Sequence, residues 1–372
     1  MNPEEVLRLK IRLLTEGVRL PATENTGRRG GAGPVGARYF RLPNGRVCGI
    51  PIRSGKMANR FGSAILEPTD DSKVWLYDGS IKLTTVPRPK FYEMKTEEGI
   101  PYSSIALLHG DRTVATTVYQ ACRYWARGSQ CKFCTIPISY RLGDTVLDKS
   151  PAHVAEVVLA AEKEGLVDDV LLTTGTPETP DMGSAKIIET IEAIRQVSNI
   201  PIGVQFEPPT EMDLIKKVAD AGANAVGIHI ENADDSIRKE ICPGKHQYGS
   251  MDFYKKAWNY ASQFFEWGHV STFILHGLGE RPDATISLVE EVSKIGVMPV
   301  VTPIRPSPNS QLGDYIPQYV NRIDETIMFY KRVGSILFEN RLNPKKTAAG
   351  CHKCGGCTPI QEAYDWAAAQ EL

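Results

Sequence analysis

From Arg112 onward the chain alternates strictly between apolar strand-like runs and amphipathic helical stretches, and this alternation limits the available folds more than any other feature. The strand candidates are TVATTVY (113–119), DDVLLTTG (168–175), IPIGVQF (200–206), NAVGIHI (224–230), HVSTFIL (269–275) and VMPVVTP (297–303). Between the first two, PAHVAEVVLAAEKEG opens with Pro151 at a first-turn position and stops at Gly165. MGSAKIIETIEAIRQV, EMDLIKKVADAG, MDFYKKAWNYASQFFEW and DATISLVEEVSKIG space their apolar residues by three and four, the helical period. Six such units predict an α/β fold of parallel strands with right-handed crossovers. Six is too few for the usual closed eight-stranded barrel, and no G-x-G-x-x-G follows the first strand.

The flanks read differently. MNPEEVLRLKIRLLTEGVRL mixes charges among its leucines, which makes it a short amphipathic helix and neither a signal-peptide core nor a membrane span. From about Thr26 to His109, turn signals such as LPNGR, RSGK and PRPK separate short apolar runs. The expected organisation is an N-terminal helix and small β-rich domain (1–110), a partial barrel (111–342) and a cysteine-rich C-terminal extension (343–372). Net charge is −1, with 42% apolar and 23% charged residues, so neither nucleic acid nor membrane is expected as a partner. The chain reads as cytoplasmic.

In a reducing compartment, clustered cysteines point to metal or catalysis more than to disulfides. Six of the eight fall in two groups. YQACRYWARGSQCKFCTIP places Cys122, Cys131 and Cys134 as C-x8-C-x2-C, with Phe133 before the last thiol; AAGCHKCGGCTPI places Cys351, Cys354 and Cys357 as C-x2-C-x2-C. Cys48 and Cys242 stand alone and read as small buried hydrophobes. The C-terminal run matches three positions of the bacterial ferredoxin pattern, so a cluster there needs a fourth ligand from elsewhere. One four-thiolate zinc site drawn from Cys131, Cys134, Cys354 and Cys357 is the alternative.

Chemistry in parallel α/β folds gathers at the carboxyl ends of the strands, and there this chain turns polar or glycine-rich. The first strand end carries the cysteine loop, the second Thr174-Gly175-Thr176, and the third Gln205, Glu207 and two prolines. The fourth carries His229 and Glu231, the fifth His276-Gly277-Leu278-Gly279-Glu280, and the sixth Arg305. Each residue singly fits a cap or turn; together the six ends describe an active site. His229 and His276 read either as proton carriers or as hydrogen-bonded wall residues. Tyr124 and Trp125 read as shields for the cysteines. TGRRGGAGP, Thr26–Pro34, is either an anion-approaching loop or a turn. No P-loop, nucleophile elbow or zinc-protease motif is present.

Cys122, Cys131, Phe133 and Cys134 after the first of six units resemble the radical S-adenosylmethionine (SAM) superfamily, over Arg112 to about Leu342. The first gap is five residues longer than the family's commonest C-x3-C-x2-C; the C-x-aromatic-C end is kept. GRRGGAGP, TTGTPE, QFEPP, STFILHGLGE and GCHKCGGC resemble the biotin-synthase-like branch, which includes proteins encoded beside nitrilases, and suggest the two-protein lipoyl synthases as well. The resemblance implies a partial (β/α)6 radical SAM barrel. It also implies three thiolates holding a [4Fe–4S] cluster whose free iron takes SAM, the source of a 5′-deoxyadenosyl radical. Thr174, Gly175 and Thr176 would then grip the methionyl amine, Glu231 the ribose hydroxyls, and Arg238 or Lys245 the carboxylate. Backbone from Ile274 to Gly277 would face adenine.

For Cys351, Cys354 and Cys357 the resemblance implies a second [4Fe–4S] cluster, folded back to the barrel mouth, with Cys48, Thr358 or Arg305 as fourth ligand. In biotin and lipoyl synthases such a cluster supplies sulfur to an unactivated carbon. Here that implies octanoyl-to-lipoyl conversion on a carrier protein, with a second radical SAM protein and a ferredoxin- or flavodoxin-type donor as partners. Two alternatives stay open: an auxiliary cluster that relays electrons or binds an unknown small molecule, and a non-enzymatic cluster carrier.

Overall fold

The computed structural model describes residues 1–20, 35–67, 73–76 and 79–371. Thr26–Pro34 lies outside these residues. All six expected strands form: Thr113–Thr117, Asp169–Thr173, Ile202–Gln205, Ala225–Gly227, Val270–His276 and Val297–Pro303. Each pairs in parallel with the next, and the two ends of the sheet do not pair with each other, so the barrel stays open. A seventh strand, Leu107–His109, joins antiparallel beside Thr113–Thr117. It comes from the segment read as N-terminal; a tight turn at Gly110, φ +61°, returns the chain immediately.

Helices Pro151–Lys163, Ser184–Arg195, Asp213–Asp220, Met251–Ala261 and Pro282–Ser293 cover the outer face. Their buried stripes (Val154, Val158, Ile187, Ile191, Ile194, Trp258, Val289) pack on outward strand residues such as Val114, Val170, Leu172, Val204 and Val226 in one core. Register sets the inward row: Thr117, Thr173, Gln205 and Gly227 lie side by side across four strands.

The N-terminal β-rich part forms two small sheets. Val18–Arg19, Ala64–Glu67, Lys73–Leu76 and Gly79–Lys82 make one; Val47–Pro51, Ala37–Arg41 and Thr84–Thr85 make the other. Helix Pro3–Glu16 opens with a reciprocal cap between Asn2 and Glu5. It packs on the two last long helices, Ile323–Glu339 and Ile360–Ala368. Lys10 and Glu362 form an ion pair of 2.9 Å with both side chains fully buried. Among the described residues no helix is long and apolar enough to cross a membrane.

The C-terminal segment enters the barrel from the end opposite the expected mouth. At the amino ends of the strands, Ala348 N donates to His269 Nε2 (2.9 Å) and Gly350 N to Asp169 Oδ2 (3.3 Å). The chain then rises inside the sheet. Gly203 makes this possible, because a Cβ there would stand 3.2 Å from Ala349 Cβ and 3.3 Å from Gly350 N. The second cysteine group therefore reaches the centre from below instead of folding over the top.

Candidate active site between two cysteine groups

The first group sits at the carboxyl end of Thr113–Thr117. Cys122 caps a one-turn helix, Arg123–Ala126, and Cys134 N closes a turn on Cys131 O at 3.0 Å. The loop is locked to the second strand end: Gly175 N donates to Tyr119 O (2.8 Å) and Arg123 N to Thr176 O (2.8 Å). Gly175 is obligatory, since a Cβ there would lie 1.8 Å from Ala121 O. Thr174 Oγ1 bonds Gly175 O at 2.8 Å. Thus 174–176 packs directly against the cysteines.

Burial pushes the Cys134 thiol up to about 12, with Cys131 and Cys122 adding repulsion. Burial also raises Cys122, against backbone N–H groups of Tyr124 and Thr176. Trp125 Nε1 is buried and directed at Cys134, whose thiolate it favours. Three grouped thiols whose bare anions are disfavoured, with the Trp125 donor alongside, suit an iron–sulfur cluster whose irons take the thiolates and whose sulfurs accept hydrogen bonds. Cys242, read as an isolated hydrophobe, is also here. Gly244 N donates to Ser129 O (2.9 Å) and Lys132 N to Ile241 O (2.8 Å), so the two runs are antiparallel and Cys242 faces Cys131. Its thiol hydrogen-bonds Cys131 and, together with burial, holds that group well above the usual thiol range. Its position before Pro243 gave no sequence signal.

Glu231 and Lys245 come together beside this group. Lys245 Nζ lies 2.6 Å from Glu231 Oε1 and 3.3 Å from Glu207 Oε2. Burial opposes the ammonium, but these two carboxylates outweigh it and hold Lys245 well above its usual range. Glu231 adopts φ +72°, a strained conformation for a non-glycine residue. Tyr254 bonds Glu207 in turn. Glu207 stands in QFEPP, noticed as a polar strand end without an assigned role.

Two expectations fail here. Arg238 is fully buried and donates to Ile230 O (3.3 Å), Lys245 O (3.1 Å) and Gly249 O (2.7 Å). Its guanidinium ties a loop together, with Nη1 left unpartnered among the described residues, and it is not among the residues that line the cavity. Gly277 is likewise committed: its N–H goes to Glu280 (2.7 Å), and its carbonyl accepts from Tyr315 (3.1 Å) and Gln318 N (3.3 Å). Ile274 is fully buried; its neighbours Phe273 and Leu275 face the cavity instead. His276 bonds Glu280 at 3.0 Å and stacks on Phe329 at 4.2 Å, as a wall residue.

A cavity of about 360 Å³ occupies the barrel interior. Phe133, Cys134 and Glu231 contribute to its wall, and so do Cys351, Cys354 and Cys357. Burial pushes Cys351 up to about 12 and Cys354 well above its usual range, each repelled further by Cys357. Gln205 Nε2 donates to Cys351 Sγ at 3.1 Å. Arg305 lines the same cavity, bonds Gly49 O at 3.1 Å and sits against Cys357. This set also suits an anionic cluster. Two proposed fourth ligands do not: Thr358 spends its hydroxyl on Val301 O, and Cys48 faces Leu9, Leu13 and Phe40 in a separate apolar cluster. Arg305 alone of the three faces the cavity. Among the described residues no three Cys, His, Asp or Glu side chains converge on a single-ion site.

An open parallel barrel with a three-thiol loop after its first strand defines a class, and residues 127–292 match the sequence model of the Radical SAM superfamily. That stretch, under half of the chain, carries a Radical SAM domain, a family that implies SAM and a [4Fe–4S] cluster as cofactors. Among its relatives is the mitochondrial lipoyl synthase of Sorghum bicolor, 27% identical over 170 residues, 45% of this chain and 42% of that protein. The lipoyl synthase of Parabacteroides distasonis is 27% identical over 190 residues, 46% of this chain and 62% of that protein. The chain thus spans under half the length of the plant enzyme. Among solved structures, methylornithine synthase (PylB) aligns with TM-score 0.47 and 16% identity over 67% of this chain and 72% of that one.

Proposed function

We propose that this protein is a radical SAM enzyme with two [4Fe–4S] clusters that inserts sulfur at unactivated C–H bonds, in the manner of lipoyl synthases. The observation that carries this reading is one cavity walled by Cys134 on the SAM side and by Cys351, Cys354 and Cys357 from below. When bound, SAM and the first cluster supply a 5′-deoxyadenosyl radical, and the second cluster supplies sulfur. Phe133, Leu275 and Ile304 keep the cavity apolar and exclude water from a reactive carbon centre. The Lys245–Glu231 pair offers a cation and a carboxylate to the zwitterionic and ribose ends of SAM. Gln205 and Arg305 hold the second thiol group in place. The volume lies in the range of small-ligand sites and suits an octanoyl chain presented by a carrier protein. A second radical SAM protein and a low-potential ferredoxin or flavodoxin complete the proposed system.

The test is anaerobic incubation of reconstituted protein with SAM, dithionite and an octanoyl-lysyl peptide. Sulfur gained by the peptide with loss of the second cluster is expected. 5′-Deoxyadenosine without a change of peptide mass points to another substrate. No SAM cleavage refutes the reading of the first triplet.

A further inference from the structure

Tyr39 belongs to the strand Ala37–Arg41, far in sequence from either cysteine triplet, yet its ring is set into the C-terminal one. A Cβ on Gly356 would stand 2.8 Å from the ring and 3.7 Å from Cys354 Sγ; one on Gly49 would stand 3.0 Å from the same ring edge. Gly110, next to the phenol, would place its Cβ 2.8 Å from Cys354 Sγ. Gly49 N also donates to Gly356 O at 2.7 Å, which fixes this packing. Gly49 and Gly356 thus clear space for the phenol, and Gly110 clears it for the Cys354 sulfur beside it.

The Tyr39 hydroxyl is buried, and its hydrogen has no acceptor among the described residues; the backbone N–H of Gly110 beside it is itself a donor. A buried hydroxyl left unpaired is costly and rarely retained without a reason. A phenol carries its hydrogen at neutral pH, so Tyr39 is a donor here. What the arrangement lacks is an acceptor, and sulfur at this turn provides one.

We propose that Tyr39 donates its phenolic hydrogen to a sulfur of the cluster held by Cys351, Cys354 and Cys357, as a positioning residue that raises its reduction potential. Reduction adds negative charge to the cluster, so a donor stabilises the reduced form more than the oxidised one. This inference rests on the second cluster proposed above.

The experiment uses full-length Cys122→Ala/Cys131→Ala/Cys134→Ala protein, reconstituted anaerobically, in which only the C-terminal triplet can hold a cluster. Its midpoint potential is followed by EPR during redox titration. Tyr39→Phe in this background lowers the midpoint. 3-Fluorotyrosine at position 39, nearly isosteric and a stronger donor, raises it and covers the case in which the phenylalanine variant does not fold. A midpoint unmoved by either change overturns the role of Tyr39 while leaving the second cluster standing. A triple variant that binds no iron overturns the second-cluster reading and this proposal with it.

Discussion

Gly175 and Arg238 show how far single residues were legible. TTGTPE places a glycine after the second strand, and the close approach of that strand end to the cysteine loop explains it: Ala121 O occupies the space of its Cβ at 1.8 Å. Gly175→Ala must displace the loop carrying Cys122. Displacements near 1 Å cost about 100-fold in rate, so SAM cleavage is expected to fall by about that factor, read as 5′-deoxyadenosine formed per cluster; unchanged cleavage would contradict the packing. Arg238 taught the opposite lesson. Its neighbourhood in SIRKEICPGKH fits an anion site, but the following segment folds back and offers two carbonyls, Lys245 and Gly249, and Ile230 before it offers a third. Sequence shows a guanidinium and hides which acceptors reach it first.

At the scale of elements, helix periodicity placed the five outer helices to within a few residues. It said nothing of the contact between the first helix and the last. Lys10 and Glu362 are 352 residues apart and both fully buried. Removing one partner of a buried pair costs about 3–5 kcal/mol because the other charge is stranded. Lys10→Met is expected to lower stability by about that amount in denaturant unfolding, with Arg46, 3.7 Å from Glu362, offsetting part. Lys10→Met/Glu362→Leu should recover most of the loss. Stability equal to wild type in the single variant would mean that the pair does not anchor the helix behind the cysteine turn.

For the whole molecule, two thiol groups in one cavity make iron loading separable. Cys122→Ala/Cys131→Ala/Cys134→Ala and Cys351→Ala/Cys354→Ala/Cys357→Ala are each expected to lose half the iron of the reconstituted protein. Loss of all iron in either would show one shared centre. The alternation of strand and helix by itself determined the order, direction and crossover of six barrel strands, because the periods of 2 and 3.6 and the handedness of crossovers act over short stretches of chain. Cysteine spacing by itself put three thiols in the first loop, one short of a closed four-thiolate site. Only the tertiary structure decided that the C-terminal triplet rises from the amino ends of the strands, that Gln205 meets Cys351 across 146 residues, and that Tyr39 reaches the turn at Cys354. Such contacts depend on which surfaces meet once the open barrel has curled around the C-terminal segment, and no local period encodes them.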